Sequence, residues 1–287
     1  MITRSSRAPC IASRRQVLGL GARTATSPRR AVDIAAGETG AMRRSPRSWT
    51  SFPRRPQGPH AQGRIEARPR GPATEMPSYG EQLLEPGAGR GELVYVPRGY
   101  RPDRPAPLAL MLHGAGGTAE HGLSLLRSLA DDAGLLLLAT KAREPTWDVI
   151  MSAYGPDVEA IDSALGHALA RYAVEPMRIA IGGFSDGASY ALSLGLINGD
   201  LFTHVIAFSP CFAAARADRR GRPRLFIAHG TRDEVLPVAS CSRRLVPELK
   251  LAGYDVRYRE FDGPHTVPPA IAREAVTWFV QGPAEAG

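Results

Sequence analysis

A doubly wound, mostly parallel α/β sheet with helices on both faces is the fold class that this 287-residue sequence predicts. Three observations carry the expectation. Short, wholly apolar runs recur along the chain, segments with apolar residues at helical spacing separate them, and several runs close in glycine-rich turns. Strands buried on both faces read as continuous apolar runs, and their alternation with helices implies parallel pairing.

In chain order, Gly91 to Val96 reads as an edge strand. Ala106 to Leu112 is a buried strand that opens into His113-Gly114-Ala115-Gly116-Gly117. Ala119 to Ala133 reads as one amphipathic helix, and Gly134 to Thr140, with four consecutive leucines, as a second buried strand. Lys141 to Pro156 is the longest unassigned loop. Asp157 to Ala173 spaces Val158, Ile161, Leu165 and Leu169 as a long helix does. Arg178 to Gly182 is a strand and Ala188 to Ile197 a helix, joined through Gly183-Phe184-Ser185-Asp186-Gly187. His204 to Phe208 and Arg224 to Gly230 are further strands, and a helix is expected after Pro237. Asp255 to Phe261 alternates with period two, as a strand with one exposed face does, and Pro268 to Val280 is a closing helix. The 15 residues between Phe208 and Arg224 are too few for a large helical cap domain.

The chemistry centres on Ser185. A serine between two glycines at a strand-to-helix turn has the pattern of a nucleophile elbow, where neighbours two away must be small to avoid clashing. The pentapeptide alone is weak evidence, so its context decides. A nucleophilic serine needs a base, a group that orients the base, and donors for an oxyanion. The glycine-rich loop after Leu112 supplies donors, the backbone N–H of Ala115 being one and that of Asp186 the other. Asp233, just past the strand that ends at Gly230, is the expected acid, with Glu234 as fallback. His265 is the expected base, because the remaining histidines fall in turns, helices, a strand or the amino-terminal region. The chain order serine, aspartate, histidine distinguishes this arrangement from the chymotrypsin and subtilisin orders.

These blocks, together with Val235-Leu236-Pro237 and Gly263-Pro264, resemble the α/β-hydrolase superfamily, in particular the phospholipase/carboxylesterase-like and poly(3-hydroxybutyrate) depolymerase-like esterases. The resemblance runs from about Gly91 to Val280. It implies hydrolysis of carboxylic esters through an acyl-enzyme, with Ser185, Asp233 and His265 as nucleophile, acid and base and no cofactor or metal. A small soluble ester with a short acyl chain is the expected substrate. Gly116, Trp147, Met151 and Tyr154 are expected to line its pocket, although Trp147 equally suits packing on the sheet. A serine peptidase of the prolyl-oligopeptidase type, a thioesterase, a lysophospholipase and an inactive hydrolase-like binding protein are the alternatives; the peptidase is disfavoured because no propeller-like segment precedes the hydrolase part.

Charge divides the chain. Residues 1–75 hold 15 arginines, no lysine and 4 acidic residues, whereas the whole chain has a formal charge of only +8. The basic excess therefore belongs to this extension, and a nucleic-acid role for the catalytic part loses its support. Its Arg- and Pro-rich composition reads as disorder, which puts the domain boundary at 75/76. Ser13-Arg14-Arg15-Gln16-Val17-Leu18 resembles the start of a twin-arginine export signal, but the apolar stretch that follows is short. A cytoplasmic location is expected, with export as the alternative. No run approaches a membrane span. Cys10, Cys211 and Cys241 have no regular spacing, so neither a disulfide framework nor a zinc site is indicated, and pairing of Cys211 with Cys241 stays open.

Overall fold

The computed structural model describes residues 58–69, 78–85, 91–214 and 219–281. The export-signal-like stretch and Cys10 lie outside them. Eight strands form the main sheet: β1 (Gly80–Leu83), β2 (Leu93–Val96), β3 (Ala106–Leu112), β4 (Leu136–Ala139), β5 (Val174–Phe184), β7 (His204–Phe208), β9 (Arg224–Gly230) and β10 (Val256–Phe261). Their spatial order is β1-β2-β4-β3-β5-β7-β9-β10. β2 runs antiparallel to both β1 and β4, and the rest pair parallel. The two-residue strands β6 (Asn198–Gly199) and β8 (Arg220–Gly221) pair apart from this sheet.

Alternation along each strand builds two cores. Leu108, Leu110 and Leu112 of β3 join a cluster with α4 (Pro156–Arg171), α5 (Asp186–Ile197) and α6 (Ser242–Leu251). Ala109 and Met111 face the other side, with α1 (Ala119–Ser124), α2 (Arg127–Ala133) and α7 (Pro269–Gln281). Both faces of the central strands are thus covered, as the apolar runs require. Among the described residues no helix is long and apolar enough to cross a membrane.

Three expectations change, and one question left open is answered. Ala119 to Ala133 forms two helices rather than one. Gly122 presses on the Met111 carbonyl, where a Cβ would clash, and the chain then breaks at Leu126 (φ −129°, ψ −4°) to bury Leu126 and Ala130. The strand at 93–96 is not the sheet edge, because β1 lies outside it. β1 alternates half-buried and exposed residues and has no apolar run to reveal it. The expected extension 1–75 also divides, because residues 58–69 pack on the sheet domain. Ile65 is 1% exposed, its N–H donates to Asn198 Oδ1 at 2.9 Å, and Asn198 Nδ2 donates to the Gly63 carbonyl at 2.7 Å. Arg64 and Arg68 both pair with Asp200, and His60 lies 2.7 Å from Asp162. One isoleucine among arginines and prolines gave no periodic signal. Finally, Cys211 and Cys241 form a disulfide that ties the segment after β7 to the start of α6.

Candidate active site

Register brings the site together. Leu112 lies beside Gly183, Phe184 beside Phe208, Phe208 beside Ala228, and Gly230 beside Phe261. The carboxyl ends of five neighbouring strands therefore share one level, and the segment leaving each of them meets at that edge, where parallel α/β sheets hold their sites.

Ser185 joins β5 to α5 with φ 58° and ψ −121°, a conformation that L-residues avoid. Its N–H donates to the Phe208 carbonyl at 2.9 Å. The glycines two residues to either side are obligatory: a Cβ on Gly183 would lie 2.6 Å from the Leu112 carbonyl oxygen, and one on Gly187 would strike the carbonyls of Leu112 and His113. Gly114 sits against Ser185, since a Cβ there would be 3.3 Å from Ser185 Cβ.

His265 Nε2 lies 2.9 Å from Ser185 Oγ, and its Nδ1 lies 2.6 Å from Asp233 Oδ2. With a carboxylate at Nδ1, the ring donates there and accepts the serine hydroxyl proton at Nε2. The loops carrying Asp233 and His265 are also bonded to each other, Thr231 N–H to the Phe261 carbonyl at 2.9 Å and Arg232 N–H to the Gly263 carbonyl at 3.0 Å. Asp233 is 5% exposed, and its Oδ1 accepts the N–H groups of Val235 and Leu236 at 3.0 and 2.8 Å. Burial pushes the Asp233 carboxyl up, but the hydrogen bonds from His265 and Leu236 outweigh it and hold the group below the usual carboxylate range. Glu234, the fallback, lines the cleft beside His265, whose hydrogen bonds among the described residues go to Asp233 and Ser185.

Among the described residues, the N–H groups of Ala115 and Asp186 have no protein partner, whereas the Gly116 N–H donates to the Pro145 carbonyl at 2.6 Å. His113 braces this loop. Its Nδ1 meets the Gly114 carbonyl at 2.7 Å and its Nε2 accepts the Ala142 N–H at 3.0 Å, while burial pushes the imidazole down toward the neutral form.

The expected pocket residues disperse. Trp147 is 1% exposed, stacks on Tyr190 at 5.1 Å and donates Nε1–H to the His113 carbonyl at 3.0 Å. It supports the glycine-rich loop from below rather than lining a pocket. Tyr154 turns inward, its hydroxyl donating to the Ala214 carbonyl, and borders a separate cavity of about 550 Å³ with Ala61, Gln62 and Val149. Met151 stands 63% exposed on α3 (Asp148–Met151). The cause is a reciprocal clamp: the Asp148 N–H donates to Asp157 Oδ2 and the Asp157 N–H to Asp148 Oδ2, which folds the loop inward. What opens beside His265 is a cleft of about 420 Å³ lined by Arg232, Glu234, Val235 and Pro264. Val235 and Pro264 belong to the motifs that carry the resemblance, but nothing in the sequence marked them as lining a pocket. Thr146, also missed, donates to Asp186 Oδ2 at 2.6 Å. The ligand atoms of His60, Glu66 and Asp162 lie within 4.8 Å of one another, but His60 and Asp162 already bond each other and Asp162 also accepts the N–H groups of Glu66 and Ala67.

Comparison with known proteins agrees with this frame. Residues 156–270 match the family model described as Phospholipase/Carboxylesterase. An acetylxylan esterase of Coprinopsis cinerea is 30% identical over 145 residues, which cover 47% of this chain and 37% of that protein. The chain thus spans little more than a third of that relative's length. Two solved structures share the fold: the Bacillus cereus carboxylesterase (TM-score 0.53, 19% identity, 68% of this chain and 95% of that one), and the Staphylococcus aureus fluorophosphonate-binding serine hydrolase F (TM-score 0.55, 17% identity, 73% and 99%). The chain thus has the fold of these hydrolases, and its residues 156–270 are similar to the phospholipase/carboxylesterase family.

Proposed function

We propose that the chain is a serine hydrolase of carboxylic esters, and the observation that carries the reading is the unbroken contact chain from Ser185 through His265 to Asp233. In this reading His265 removes the hydroxyl proton as Ser185 Oγ attacks the ester carbonyl. The free N–H groups of Ala115 and Asp186 hold the tetrahedral oxyanion. His265 then protonates the leaving alcohol, and the same ring activates the water that releases the acid. Asp233, kept anionic by its hydrogen bonds, orients the imidazole and stabilises its charged form.

A short acyl group is the favoured substrate feature. The cleft beside His265 is open, and Val235 and Pro264 give it only a small apolar wall, so methylenes beyond a few would stay in water and add little of the ~0.8 kcal/mol that each buried one can contribute. The acetylxylan esterase relative supports the same direction, an acyl group as small as acetate on a hydrophilic alcohol. The Cys211–Cys241 bridge supports the exported alternative over a cytoplasmic one, because such links persist in oxidising compartments. Fluorophosphonate labelling followed by peptide mapping, then p-nitrophenyl esters of increasing length, tests the reading. The label is expected on Ser185 and kcat/KM is expected to peak between acetate and butyrate. A steady rise to palmitoyl esters would replace it with a lipase or lysophospholipase reading.

A further inference from the structure

His229, the penultimate residue of β9, is 0% exposed and takes no part in the steps above. Its Nε2 lies 2.7 Å from the Leu236 carbonyl and 3.3 Å from Asp233 Oδ2, and its Nδ1 lies 2.7 Å from Ser242 Oγ. Two acceptors at Nε2 and one hydroxyl at Nδ1 settle the proton's place: Nε2–H donates, and the Ser242 O–H donates to Nδ1. Leu236 is also the residue whose N–H clasps Asp233 Oδ1 at 2.8 Å. The ring therefore holds from the carbonyl side the same turn that holds the carboxylate from the amide side. Ser242 is itself anchored, because Cys241 before it is bonded to Cys211.

We infer that His229 is a positioning residue for Asp233, which locks the 233–236 turn so that Oδ2 is presented to His265 in one orientation. It acts through Asp233 and touches no substrate. The inference rests on the serine-hydrolase reading and adds to it a buried support that runs from the disulfide to the acid.

The test is a set of variants assayed with p-nitrophenyl acetate, with rates referred to serines titrated by fluorophosphonate. His229→Ala is expected to lower kcat ~10–100-fold with KM within ~2-fold, since orientation rather than binding is lost. His229→Gln, which returns an N–H near the Nε2 position, is expected to recover most of that rate. Ser242→Ala, a milder change that tests the support if His229→Ala fails to fold, is expected to cost ~3–10-fold in kcat. In the Asp233→Asn background, His229→Ala should cost less than ~3-fold more, because its partner is already gone. Unchanged kcat per titrated serine in the Ala and Gln variants at 229 and in Ser242→Ala, or losses that multiply in the double variant, would overturn the inference. Failure of the underlying reading looks different: ester hydrolysis would survive Ser185→Ala, whatever happens at 229.

Discussion

At the scale of single residues, Ser185 joins the proposed nucleophile role to backbone strain. Its left-handed backbone costs on the order of 1–3 kcal/mol, which the glycine-lined turn around it absorbs. Ser185→Ala should abolish ester turnover, with a loss of ~10⁴ or more in kcat, and leave the fold intact. Ser185→Gly should be equally inactive yet more stable than Ser185→Ala by about 1 kcal/mol, because glycine adopts positive φ without penalty. Parallel urea titrations read the difference, and a Gly variant no more stable than the Ala variant would mean that the turn is unstrained. His204 is a residue of another kind. Buried against the rings of Trp278 and Phe279, its imidazole is pushed by desolvation down to about 4, with the nearby charges of Arg224 and Arg178 adding to the effect. The unfolded chain then binds the proton more tightly than the folded one. Stability present above the ordinary histidine value of ~6.5 is therefore lost as pH falls toward 4, by about 3 kcal/mol in all. His204→Phe should flatten this acid limb, as measured by denaturation midpoints at pH 7 and pH 5; an unchanged slope would assign the limb to other groups.

Elements behave according to how much of their pattern is local. β3, β5, β7 and β9 were legible because double-sided burial writes itself as a continuous apolar run, and the nucleophile turn was legible because its glycines are steric necessities. β1 was not, since a polar edge strand is defined by its neighbour rather than by its own residues. The 141–156 loop was misread for a related reason. Its aromatic residues suit a pocket wall or a core equally well, and the choice falls to Asp148 and Asp157, whose pairing no spacing rule announces. Trp147→Ala should accordingly cost stability, about 3–5 kcal/mol for a buried aromatic, and lower kcat by loosening His113 and the loop beneath the oxyanion. Trp147→Phe should keep most of the stability, and thermal melts alongside ester assays distinguish the two. A pocket-lining role would instead move KM or chain-length preference with little change in melting temperature.

For the whole molecule, the boundary matters more than the composition suggested. Residues 58–69 bury Ile65 and satisfy the side chain of Asn198, which is itself fully buried. A chain beginning at Met76 forfeits both, leaving Asn198 Oδ1 without its donor and Nδ2 with the Leu194 carbonyl but not that of Gly63. Set against one beginning at Gly58, it should be destabilised by roughly 3 kcal/mol, or on the order of 5–10 °C. Scanning calorimetry of the two chains reads this directly. Equal melting temperatures would return the boundary to 75/76.

The bridge between Cys211 and Cys241 has a topological consequence. It turns 31 consecutive residues into a covalent ring, and that ring contains all of β9 and the Asp233 turn. Asp233 thus remains in a closed loop even after denaturation, which removes roughly 3–4 kcal/mol worth of conformational freedom from the unfolded ensemble. It also means that a backbone cut inside the ring cannot by itself release a fragment. Trypsin acting at the exposed Arg219 or Arg220 should yield a nicked protein that migrates as one band without reductant. With a reducing agent it should separate into an amino-terminal piece bearing Ser185 and a carboxyl-terminal piece bearing Asp233 and His265.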